Sequence, residues 1–106
     1  MNAELFGRNY FSASVLVPLC PTVATIKLVT VEEIGQDREP KMVVYFSDLP
    51  APYADKGLIL NVTNRKTLVE LFGAETDGWV GKPVRLDVVD VRFGGKPTKG
   101  IVVGRA

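Results

Sequence analysis

The stretch KGLILNVTNRKTLVELFG, residues 56–73, runs a short apolar strand straight into a capped helix. It is the one convincing helix in a chain of 106 residues, and strand-like runs lie on both sides of it. Leu68, Leu71 and Phe72 recur at i, i+3 and i+4, which puts them on one apolar stripe. Thr63 or Asn61 stands where a cap belongs, since a short oxygen side chain there accepts from backbone N–H groups that lack an intrahelical partner. Gly73 follows the stripe and can take the left-handed conformation that closes a helix.

The flanking segments read as strands. In ATIKLVTVEEI, residues 24–34, Ile26 and Leu28 share one face while Val29 and Val31 share the other, a change of phase that a β-bulge, or a strand serving two parts of a core, produces. GQDREPK is a polar hairpin turn. MVVYF, residues 42–46, places Met42, Val44 and Phe46 on one face and Val43 and Tyr45 on the other. The loop SDLPAPYADKG carries two prolines that deny ladder donors, and LILN follows as a short strand. After the helix, Glu75 to Gly81 form a connector holding the only tryptophan, Trp79. PVRLDVVDVRF, residues 83–93, switches phase between Val88 and Val89 and so predicts a second bent strand. GGK is a hairpin turn without Walker spacing or a following helix, and GIVV, residues 100–103, is the last strand.

Three strands, a helix and two strands, with two long strands that change face, predict a mainly β fold. The expected form is a five-stranded OB-fold-like Greek-key barrel whose helix, between strands three and four, covers the open end. Leu68, Leu71 and Phe72 then pack into that end, and Trp79 anchors the connector. The competing architecture is an open α+β sheet with one helix on a face. Residues 23–106 make the single OB-like domain. Residues 1–22 make an arm that packs on it, with a helical turn ended by Gly7 and an extended loop around Pro18 and Pro21.

Composition narrows the chemistry. The chain has one cysteine, Cys20, and no histidine. This excludes an internal disulfide, a cysteine-clustered zinc site and every imidazole-dependent triad. Glu32 and Glu33 are adjacent on a strand, so they point to opposite faces and cannot share a substrate. No cofactor, metal or enzymatic activity is expected. No apolar run reaches the length of a membrane span, and ASVLVPLCPTVATI is broken by two prolines and lacks a basic leader, so a cytoplasmic location is expected. Residues 1–53 carry four basic and six acidic side chains, whereas the tail from Trp79 carries six and two. That asymmetry permits a polyanionic partner, and a mixed solvated surface fits it equally.

Several blocks resemble a family of short proteins encoded by tailed phages and prophages. The shared features are LFG..Y near the start, VTVEEIGQ, KMVVYF, KGLILNVTNRKTLVELFG, TDGWVGKPVRL and VRFGGK. Asn61, Thr63, Asn64, Thr67, Trp79, Gly81 and Lys82 fall where that family places such residues. Gly78 departs from the acidic residue usual before the tryptophan, and VPLCPTV replaces a more polar turn. The resemblance implies an OB-like domain in a phage setting close to DNA replication and recombination.

In an OB-fold the face of strands two and three receives nucleic acid. Tyr45, out of phase with the core residues of its strand, is the candidate stacking platform, the alternative being a half-buried tyrosine that shields a barrel edge, and Lys41 on the same face is a candidate phosphate contact. Arg85 and Arg92 on the fourth strand and Lys96 and Lys99 around its hairpin are the further candidate cations, although Asp87 and Asp90 are interleaved with them. Asn61, Thr63 and Asn64 are read as cap residues. Two functions follow: weak binding of single-stranded DNA or RNA, or docking of a phage or host protein without nucleic acid.

Overall fold

The computed structural model describes residues 10–51 and 53–106, with Phe93 described through its backbone alone. Its longest strand, β1 (Thr22–Ile34), organises the rest. The first four residues of β1 pair antiparallel with β4 (Pro83–Phe93), from Thr22 opposite Leu86 to Thr25 opposite Pro83. From Ile26 onward β1 pairs instead with β2 (Glu39–Phe46), ending with Ile34 opposite Glu39. At the crossover the Ile26 N–H donates to the Lys82 carbonyl at 3.0 Å and the Gly81 N–H donates to the Ile26 carbonyl at 2.7 Å. The register slips between Ile26 and Leu28, so Lys27 is the extra residue of a bulge. The bulge lets buried Ile26 and half-buried Val29 both face the core and turns Leu28, expected on the same face as Ile26, to the exposed outer side, which accounts for the phase change in the sequence.

The remaining elements among the described residues are α1 (Ala13–Leu16), β3 (Gly57–Ile59), α2 (Val62–Phe72), a 3-10 turn (Thr76–Trp79) and β5 (Lys96–Arg105). The five strands form one antiparallel sheet in the order β3-β2-β1-β4-β5. The fold is therefore mainly β, and the sheet is open: β3 and β5 do not pair with each other among the described residues.

What lies on β5 instead is a side chain. Asn64, in the first turn of α2, is 2% exposed. Its amide donates to the Ile101 carbonyl at 2.8 Å and accepts from the Val103 N–H at 3.1 Å. Asn64 thus makes, on the free edge of β5, the pair of bonds that a neighbouring strand would make. A covered edge leaves no unpaired backbone groups at that point, so the sheet needs no closing strand there. The residue is not a cap. Asn61 is the cap, its side-chain oxygen accepting from the Asn64 N–H at 2.7 Å. Thr63 lies inside the helix, exposed, and its carbonyl accepts the Thr67 hydroxyl.

The core joins Ala24, Ile26, Val44, Phe46, Leu58, Leu60, Leu68, Val84, Leu86 and Val103 to Leu16 of α1 and to Trp79. Trp79 is fully buried and its indole N–H donates to the Gly73 carbonyl at 2.8 Å, tying the connector to the end of α2. Of the helix stripe, Leu68 is buried, Phe72 packs partly against the core, and Leu71 stands half-buried outside it.

Three further expectations are corrected. The phase change expected in β4 is not a change of pairing, because the strand's ten pairs with β5 run in unbroken register from Val84 opposite Arg105 to Phe93 opposite Lys96. Its second valine set, Val89 and Val91, lies exposed on the outer face, where the hairpin extends beyond the core. Strand β5 is correspondingly longer than GIVV. Residues 13–16 are a helical turn capped by Ser12, not an extended loop. The expected turn ended by Gly7 falls outside the described residues.

Candidate functional site

The face of β1, β2 and β3 opposite the core is set by the pairing register. Leu28, Thr30 and Glu32 of β1 stand beside Tyr45, Val43 and Lys41 of β2, and Gly57 and Ile59 of β3 complete the surface. Glu32 is its centre. One carboxylate oxygen accepts the Tyr10 hydroxyl at 2.5 Å, and the other accepts the Tyr45 hydroxyl at 2.7 Å and the Thr30 hydroxyl at 2.6 Å. These donors, Thr30 and Tyr10 foremost, hold the Glu32 carboxyl below its ordinary range against the opposing effect of burial. The same bonds act oppositely on the phenols. The hydrogen bond to Glu32 leads in pushing Tyr10 up to about 12, and burial leads in raising Tyr45 further.

Glycine at position 57 makes this packing possible. A Cβ built there would lie 2.5 Å from Val43 Cγ1 and 3.0 Å from two ring carbons of Tyr45. The Tyr45 ring therefore rests on bare backbone. Across the same residue, Tyr10 forms a parallel bridge to Gly57 and the Phe11 N–H donates to the Gly57 carbonyl at 2.9 Å.

Tyr45 lies on the outer side of β2, half-buried, with its hydroxyl bound to Glu32. Lys41 shares that face and lies 3.4 Å from Glu39. Arg85 is on the outer face of β4, opposite Val23, and lies 3.6 Å from Asp87. Lys99 is opposite Asp90 in register and contacts it at 2.9 Å. Exposed pairs of this kind are worth about 0–1 kcal/mol, so they resist a competing phosphate only weakly. Arg92 and Lys96 flank the Gly94–Gly95 turn, whose φ angles of 60° and 80° suit glycine, and neither makes an ion pair among the described residues.

By strand parity Arg92 and Lys99 lie on the face of β4–β5 opposite to Arg85 and Lys96. The candidate cations are thus scattered: Lys41 stands on the Tyr45 face, Arg92, Lys96 and Lys99 lie around the hairpin tip, and Arg85 lies at the far end of β4, opposite Val23 and Gly104. The hairpin also exposes Val89, Val91 and Val102 to 37%, 39% and 37%.

The sequence presents Glu32 only as half of an adjacent carboxylate pair and Tyr10 only as one residue of the N-terminal arm. Their contact spans 22 residues, and no local pattern announces it. Asn64 did leave a signal, standing four residues before buried Leu68 on the same stripe. Cys20 is half-buried, and burial together with the Asp87 charge raises its thiol pKa, which disfavours the reactive thiolate. No helix among the described residues is long and apolar enough to cross a membrane. Comparison with known proteins finds no matching family model, no matching curated protein and no matching solved structure.

Proposed function

We propose that the chain is a non-catalytic OB-type module that binds single-stranded nucleic acid weakly. In this reading the β4–β5 hairpin supplies the electrostatic contacts and the Tyr45 face supplies stacking. The observation that carries it is the division of β1 between β2 and β4, the way an OB barrel shares its first strand, beside a hairpin whose Arg92 and Lys96 have no carboxylate partner among the described residues. A near-neutral net charge of +1 keeps the affinity low. The resemblance to tailed-phage proteins supports an accessory role near replication or recombination.

The test is fluorescence anisotropy with a labelled single strand over a range of salt. Arg92→Ala and Lys96→Ala should each reduce the slope of log affinity against log salt by about 0.7, the value for one phosphate contact on a single strand. Variants that bind with the parent's slope would remove the hairpin from the interface. A second reading, docking of a protein, draws on the exposed Val89, Val91 and Val102, and absence of any oligonucleotide binding at low salt would favour it.

A further inference from the structure

We infer that Tyr10 and Phe11 form a strap that occupies the Tyr45 face and holds down its affinity for single-stranded nucleic acid. This rests on the nucleic-acid reading above. Strand β3 has only three residues, and its outer edge would otherwise be the edge of the sheet. The strap takes that edge through the bridge from Tyr10 to Gly57 and the bond from Phe11 N–H to the Gly57 carbonyl. Phe11 is the anchor: it is buried, and its ring stacks on Tyr53 with centroids 6.3 Å apart and planes at 28°.

Tyr10 is the latch. Its hydroxyl takes one oxygen of Glu32 while the Tyr45 hydroxyl takes the other. The Tyr45 ring lies on Gly57, the same residue that Tyr10 bridges, so Tyr10 stands beside the surface a base would need. A base stacking on Tyr45 must displace Tyr10 or crowd against it. The latch joins groups on the outer face of the sheet, whereas Phe11 belongs to the core, so Tyr10 can leave while the sheet stays folded. Glu32 strengthens the effect, because it places a negative charge in the middle of the face that would receive phosphates.

The experiment compares Tyr10→Phe and Tyr10→Ala with the parent, since both substitutions leave the charge unchanged. Two readouts are taken: hydrogen exchange at the Phe11 amide, and anisotropy with a labelled oligothymidylate at low salt. The expected result is faster Phe11 exchange and tighter binding by about tenfold, the scale of one charge-assisted hydrogen bond. Adding Tyr45→Ala to Tyr10→Phe should abolish that gain, which a merely loosened protein would not do. If the parent binds and both Tyr10 variants bind equally well, the strap is overturned and the nucleic-acid reading stands. If neither the parent nor the variants bind, the nucleic-acid reading fails and the strap fails with it.

Discussion

Replacing Asn64 by alanine removes the bridge between α2 and the edge of β5. Two backbone groups then lose their partners, the Val103 N–H and the Ile101 carbonyl. Val103 is 2% exposed, so its N–H is stranded without water, at a cost of about 1–3 kcal/mol. Ile101 is half-buried, and water can replace part of its bond, leaving a loss of about 0.5–1.5 kcal/mol. Together these give a destabilisation of about 1.5–4.5 kcal/mol, a large fraction of a small domain's stability. Urea unfolding followed by Trp79 fluorescence measures it. Asn61→Ala is the control, because it removes a single cap bond worth about 1 kcal/mol. Hydrogen exchange at Val103 localises the effect, and its amide should lose protection in Asn64→Ala while core amides of β1 keep theirs. An Asn64→Ala protein within about 0.5 kcal/mol of the parent would refute the claim that this side chain stands in for a strand.

Leu68→Ala should destabilise by about 2–5 kcal/mol, because it empties a fully buried position. Leu71→Ala, at a half-buried site outside the core, should cost only about 1 kcal/mol, and equal losses in thermal unfolding would show the helix packs otherwise. Gly57→Ala should cost about 1–3 kcal/mol by forcing Val43 and Tyr45 aside, and should raise exchange at the Phe11 amide; a variant as stable and protected as the parent would contradict the packing. Glu32 has a lowered folded pKa, so its contribution is complete above the unfolded value and fades as pH falls through the folded one. Tyr10 is raised to about 12, so its contribution is complete below about 10 and fades as pH rises through about 12. Glu32→Gln should bring Tyr10 and Tyr45 ionisation to lower pH in an absorbance titration at alkaline pH, and an unchanged curve would deny the shared carboxylate.

The parts of the fold legible in the sequence are those fixed by local chemistry. The bulge at Lys27 showed as a phase change from Ile26 to Val29, because a half-buried strand must keep one face apolar across the slip. The helix showed as a stripe between a cap and a glycine. The same pattern misled at β4, where Val89 and Val91 alternate on an exposed hairpin; alternation records two faces without saying which is covered. How the edge of β5 is covered was illegible because one amide does the work of a strand, and Asn64 stands where cap residues also stand. Among the candidate site residues, Tyr45 and Lys41 share a face, as strand parity requires. The grouping of Arg85 with Arg92 ignored that same parity, since seven positions along a strand separate opposite faces. Glu32 gathers Tyr10, Thr30 and Tyr45 from three segments, and only tertiary structure brings them together.

The most direct test of the functional proposal is an amide chemical-shift titration of the intact chain with a short single-stranded oligonucleotide at low salt. The proposal predicts saturable shifts concentrated at Arg92 to Lys96, weaker shifts on β2 around Lys41 and Tyr45, and collapse of both as salt is raised. A spectrum unmoved by the oligonucleotide at low salt would contradict it.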